Sequence, residues 1–177
     1  MTTTFEGLQA DFGFEPISGY LHTGERLNVP LISHITDNLY VGGHADRLSL
    51  GDFFSHVFSL YVWGRQYPTH EDTVHHSLTL YDSPDESLDE VNDFVDLVVE
   101  ALERGGNVLV HCQAGINRSN LVAALALRRW KGMTSAEAIA LLREKRTPLV
   151  LANVGFERFL NSLDSDEPVE DYPGGGE

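Results

Sequence analysis

Two adjoining segments without a polar face constrain this chain more than anything else in its sequence. Asn107-Val108-Leu109-Val110-His111, entered from Gly105-Gly106, is a short apolar run of the kind found in a strand buried on both faces. Residues 119–130 are apolar nearly all round at helical spacing, which places that helix inside a core rather than on its surface. A buried strand that feeds a buried helix through a short turn predicts an α/β domain. We expect a central mixed sheet of about four to five strands flanked by helices, with this turn between a central strand and its helix.

The flanking sequence supplies the other elements. Residues 39–41, 56–62 and 73–80 are rich in β-branched and aromatic side chains and are punctuated by Gly42, Gly43, Gly64 and Pro68, which predicts strands. Residues 63–72 are polar, contain Pro68, His70, Glu71 and Asp72, and read as a surface loop. Leu88, Val91, Phe94, Val95, Val98, Val99 and Leu102 then form one helical face, opposite Asp89, Asp93, Asp96, Glu100 and Glu103. Ser87 with Glu90 predicts a capping box at its start, and Thr134 with Glu137 a second one, on a helix running to about Arg146. A last short helix is expected over 155–163.

The ends differ in kind. Residues 1–28 mix Gly, Thr and acidic residues with Phe12, Phe14 and Tyr20 and show no clean periodicity, so they are expected to be an extension packed on the domain. Residues 164–177 hold five acidic residues before the last one, two prolines and three consecutive glycines, the composition of a disordered acidic tail. The folded domain is thereby expected over 29–163.

With 12 Lys plus Arg against 27 Asp plus Glu, the formal charge is −15, a surface that repels polyanions. Nucleic acid and anionic membranes are therefore poor principal partners. No apolar run reaches the roughly 18 residues of a membrane helix, and the first residues lack the basic-then-apolar pattern of a signal peptide. The expected location is cytoplasmic. Cys112 is the single cysteine, which excludes an intramolecular disulfide and a cysteine-built zinc cage. Taken alone, such a residue is a small buried hydrophobe; its neighbours give it another meaning.

Those neighbours are His111-Cys112-Gln113-Ala114-Gly115-Ile116-Asn117-Arg118-Ser119. A loop this short, with Gly115 free to take a left-handed backbone, can turn the successive N–H groups of residues 112–118 inward as an anion-binding nest. The following helix adds the positive end of its dipole, and Arg118 adds a bidentate fork to two oxygens of a phosphoryl group. A cysteine at a helix N-terminus beside cationic groups titrates at roughly 3.5 to 7.5 instead of about 8.5, so a thiolate is expected at neutral pH. That thiolate can attack phosphorus in line and form a cysteinyl-phosphate. Ser119 can hydrogen-bond the sulfur and stabilise it as a leaving group in the second step, and His111 is expected to orient the loop through backbone hydrogen bonds.

The spacing His-Cys, two residues, Gly, two residues, Arg-Ser resembles the signature of the protein tyrosine phosphatase superfamily, most closely its dual-specificity branch. The resemblance covers roughly residues 30–163, with 35–43 similar to the family's opening strand and Asn153 to Phe156, followed by Leu160, to its closing helix. It implies an aspartate upstream of the nucleophile as general acid. Asp82, with Leu88 six positions on, matches the branch's spacing, and Asp85 is the alternative.

The expected function is a cysteine-dependent phosphomonoester hydrolase without cofactor or metal. Its expected partner is a phosphorylated protein bearing phosphotyrosine, with phosphoserine and phosphothreonine as further substrates. His75 and His76 would face opposite sides of a strand, so with His70 they form no metal site. Alternatives are an RNA 5′-phosphatase, resembling this chain in Asn117-Arg118 and served by a basic patch at Arg143, Lys145 and Arg146, and a phosphoinositide phosphatase, which the neutral loop disfavours. An inactive phosphoprotein-binding domain is the reading from another class.

Overall fold

In the computed structural model, which describes residues 4–21, 23–45, 50–61 and 70–165, the central strand is where the apolar run lies. Strand β7 (Val108–His111) is buried at every position and is flanked on both sides by parallel neighbours, β4 (Leu39–Gly42) and β5 (His56–Ser59). Beyond them β3 (Ile32–Thr36) pairs antiparallel with β4, and β6 (Val74–Ser77) pairs parallel with β5. The mixed sheet has five strands in the order β3-β4-β7-β5-β6, as expected.

Alternation along β7 divides the core into two layers. Val108, Val110 and Cys112 join Leu39, Val41 and Phe58 against the helices α2 (Val91–Glu103), α3 (Arg118–Lys131), α4 (Ser135–Lys145) and α5 (Val154–Ser162). Leu109 joins Tyr40, Val57, Leu31 and Phe54 on the opposite face, where Leu8 of α1 (Phe5–Phe12) covers them. Helix α3 is buried at ten consecutive positions, Arg118 to Leu127, which accounts for its lack of a polar face.

Two predicted boundaries move. No capping box forms at Ser87: its hydroxyl donates to the Asp89 carboxylate at 2.9 Å and accepts the Asp89 N–H at 3.5 Å. That local turn competes with the cap, and α2 starts at Val91, with Leu88 packed on the core just before it. The strand predicted over 73–80 is paired only from Val74 to Ser77. The box at Thr134 and Glu137 forms as predicted.

The first 28 residues contain more order than their composition signals. Helix α1 is capped by Thr4, whose side chain accepts the Gly7 N–H, and β1 (Ile17–Tyr20) pairs antiparallel with β2 (Arg26–Val29). The inner face of this hairpin, Leu27 and Val29, packs against Ile116 in the turn after β7, with Ala114, Leu149 and Ala152 at its border. At the other end, Asp164 accepts the N–H groups of Ser135 and Ala136 at 2.9 and 3.1 Å and pairs with Arg128. It thereby closes the N-terminus of α4. Residues 166–177 of the expected tail, and Trp63 to Thr69 of the expected loop, lie outside the described residues.

Leu27→Ala should lower the unfolding free energy in urea by about 2 kcal/mol, the lower end for a buried leucine, because its cluster is small. A loss within error of zero would mean that the hairpin does not dock.

Candidate active site

The turn between β7 and α3 is held open from outside. The Gln113 carbonyl accepts the His44 N–H at 2.9 Å, and that of Ala114 accepts Nη2 of Arg146 at 3.1 Å. The Gly115 carbonyl accepts Nε of Arg146 at 2.5 Å and Nδ2 of Asn120 at 2.8 Å. The Ile116 carbonyl accepts the same Asn120 amide at 3.0 Å and the Leu151 N–H at 3.0 Å. In a trans peptide the C=O and the next N–H point in opposite directions, and the described chain contains no cis bond. With four successive carbonyls drawn outward, the N–H groups of Ala114, Gly115, Ile116 and Asn117 turn inward as an oxyanion-binding nest.

Gly115 is required here twice over. Its φ of +68° is left-handed, and a Cβ there would lie 2.4 Å from Arg146 Nη2 and 2.6 Å from the Gly42 carbonyl oxygen.

Cys112 sits at the base of the nest, buried. Its Sγ accepts the Gly115 N–H at 3.3 Å and lies 3.3 Å from the Ser119 hydroxyl. Arg118 is only 7% exposed; Nη1 donates to the carbonyls of Leu60 and Leu80 at 3.0 and 3.3 Å, which anchors one edge of the guanidinium. Its Nε is buried with no hydrogen-bond partner among the described residues. The Tyr61 ring lies 5.9 Å from the guanidinium carbon. A charged donor kept unpaired at an inward-facing nest is positioned to receive an anion.

Asn117 stands at the N-cap of α3 but makes no capping bond. Its amide instead donates to the Asp82 carboxylate at 2.9 Å, which brings the upstream aspartate to the loop. Asp85 lies in the exposed turn beyond, its N–H on the Ser83 hydroxyl at 3.4 Å.

His111 is completely buried, on the Leu109 side of the sheet, with its ring stacked 5.9 Å from that of His44. Burial, with His44 and His75 nearby, holds its pKa down to about 3. The imidazole is neutral at physiological pH, a donor and acceptor rather than a cation. His75 and His76 lie on opposite faces of β6, His76 stacked 4.9 Å from Phe58 and His75 near His111.

Three residues of the site escape sequence inspection. Asn120 lies in a helix read as apolar, and Asn153 was noticed only within the closing helix. Arg146, grouped above with a basic patch, is in fact only 7% exposed and also donates to Ser33 Oγ and the Val41 carbonyl. Arg143 pairs with Glu157 and Lys145 with Glu144, so no free basic patch forms there.

An inward-facing amide nest with a buried cysteine at its base and an arginine at its rim defines a cysteine-based phosphatase. Comparison with known proteins agrees. The family model for the dual specificity phosphatase catalytic domain matches residues 54–166. Dual specificity protein phosphatase 1 of Arabidopsis thaliana is 34% identical over 151 residues, 81% of this chain and 73% of the relative. Among solved structures, the human tyrosine phosphatase-like serine/threonine/tyrosine-interacting protein superposes with a TM-score of 0.63 at 20% identity, covering 75% of this chain and 95% of its own. Human DUSP28 gives 0.63 at 18% identity, covering 74% and 96%. These two show a shared fold. The chain belongs to the dual specificity phosphatase family and is a protein phosphatase.

The pH dependence of stability follows from His111. Its pKa lies below that of the unfolded chain, 6.5, so the unfolded state binds the extra proton between these values. Stability is complete above about pH 6.5 and falls as the pH drops toward 3, by up to about 1.4 kcal/mol per pH unit for one proton. Urea unfolding across this range should show a shallower slope in His111→Gln; an unchanged slope contradicts the assignment.

Proposed function

We propose that Cys112 is the nucleophile and Asp82 the general acid of a phosphatase acting on phosphotyrosyl proteins and on phosphoseryl and phosphothreonyl ones. The observation that carries this reading is Cys112 Sγ at 3.3 Å from both the Gly115 N–H and the Ser119 hydroxyl, beneath a nest beside which Arg118 keeps an unpaired Nε.

The phosphoryl oxygens bind the inward N–H groups of Ala114, Gly115, Ile116 and Asn117 and the free edge of Arg118, while the Cys112 N–H donates to the Gly42 carbonyl at 3.3 Å. The Cys112 thiolate attacks phosphorus, the ester P–O bond breaks, and Asp82 gives its proton to the departing oxygen. Water then attacks phosphorus and returns a proton to Asp82 as the S–P bond breaks. Ser119 donates to the departing thiolate and stabilises it. His111, neutral and buried, orients the strand end that presents Cys112.

The names of the relatives support a range wider than phosphotyrosine, and a loop without extra cations at Gln113, Ala114, Ile116 and Asn117 speaks against a phosphoinositide. The RNA and phosphoinositide alternatives lose support because Arg146 is buried while Arg143 and Lys145 are paired. Presence of Cys112, Arg118, Ser119 and Asp82 together disfavours an inactive binding domain. Residues 29–163 form the proposed catalytic unit, with the 1–28 extension bracing it and Asp164 of the tail capping α4. Among the described residues no helix is long and apolar enough to cross a membrane. A reducing, cytoplasmic setting suits the proposed nucleophile.

Cys112→Ser should abolish hydrolysis of an aryl phosphate while binding of inorganic phosphate persists; undiminished turnover refutes the nucleophile. Asp82→Ala should lower the rate by about 10²- to 10⁴-fold, the range for a general acid. A larger loss in Asp85→Ala would transfer that role to Asp85.

A further inference from the structure

Both oxygens of the Asp82 carboxylate are occupied. Oδ2 accepts the Asn117 side-chain amide and Oδ1 that of Asn153, each at 2.9 Å. Neither amide can be reversed. Asn117 Oδ1 accepts the backbone N–H of Asn153 at 2.9 Å, and Asn153 Oδ1 accepts those of Gly155 and Phe156 at 3.0 and 3.3 Å. Backbone N–H groups only donate, so both carboxamides must turn their oxygen toward them and their NH₂ toward Asp82.

The ring so formed joins three separate parts of the chain: the acid-bearing segment after β6, the phosphate loop and the start of α5. Close backbone packing seats the first on the last. A Cβ at Gly155 would lie 2.2 Å from the Pro84 carbonyl oxygen, so the acid-bearing segment rests directly on the first turn of α5.

We infer that Asn117 and Asn153 are positioning residues that clamp Asp82 in the direction from which it serves the leaving group; this rests on Asp82 being the acid. Asn117 neighbours Arg118, so the loop that holds the phosphoryl group also sets the place of the proton donor. When the leaving oxygen takes its proton, the carboxylate left behind retains amide donors on both oxygens. It is then oriented to accept the proton of the attacking water. The distant α4–α5 connection thus acts on the chemistry through Asn153.

The test separates clamp from cap. Asn153→Ser keeps an oxygen able to accept from the first turn of α5 but has no donor that spans to Asp82. With the full chain, kcat/KM is measured for phenyl phosphate and for 2,4-dinitrophenyl phosphate, whose leaving group needs no proton. The loss in Asn153→Ser should be about 10- to 100-fold greater on phenyl phosphate than on the dinitrophenyl ester, the scale of a misplaced catalytic group. Asn153→Asp, which keeps the cap but opposes Asp82 with a carboxylate, should show a greater difference still. In an Asp82→Asn background, Asn153→Ser should add no further leaving-group dependence. Equal losses on both esters, or an additive effect in the double variant, overturn the clamp. If Asp82→Asn shows the leaving-group dependence and neither Asn153 variant does, the clamp fails and the acid stands. If Asp82→Asn lacks it, the acid assignment falls and the clamp with it.

Discussion

The outward pull on four successive carbonyls of residues 113–116 is the constraint on which the active site depends. Amides can face a phosphoryl group only if their carbonyls are satisfied elsewhere, because an unpaired buried carbonyl costs about 1–3 kcal/mol. Arg146 and Asn120 supply most of that satisfaction, aided by the backbone of His44 and Leu151. The guanidinium of Arg146 is thus a structural cation behind the nest, while that of Arg118 keeps its Nε without a hydrogen-bond partner among the described residues. In the proposed mechanism two buried arginines divide the work of building the site and of binding in it.

The sheet determines where that loop can be. Because β7 is central and buried on both faces, its C-terminal end opens between β4 and β5, where Leu60 offers a carbonyl to Arg118 and Gly42 approaches Gly115. The strand's alternation sends Cys112 to the helix side and His111 to the other, so adjacent residues enter different environments. The hairpin of residues 17–29 adds a wall at Ile116. The loop is therefore enclosed by described elements that lie between Leu27 and Ala152.

The proposed acid Asp82 and the proposed nucleophile Cys112 come from segments thirty residues apart, and a side-chain ring closes that distance. Asn117 belongs to the loop, Asn153 to the cap of α5, and Asp82 to the segment after β6. A helix that caps itself through Asn153 thereby also restrains the Asp82 carboxylate. Packing of Pro84 on Gly155 strengthens the same joint.

Much of this was legible in the linear chain. The buried strand, the core helix, the capping box at Thr134 and the loop with Cys112, Arg118 and Ser119 are local patterns, each set by spacing within a dozen residues. The start of α2 was misread because Ser87 has two local options, and only the turn with Asp89 was realised. The hairpin lacked a signal because its strands are four residues long and its apolar face is completed by Ile116, nearly ninety residues on. Arg146 looked like surface charge for the same reason: its partners, Ser33, Val41, Ala114 and Gly115, are distant in sequence. Sequence alone thus determined the phosphatase class and the candidate reacting groups, since these depend on residue identity and short spacing. Tertiary structure decided which cation builds the nest and what holds Asp82, because hydrogen bonds between remote segments exist only once the sheet and helices have brought them together.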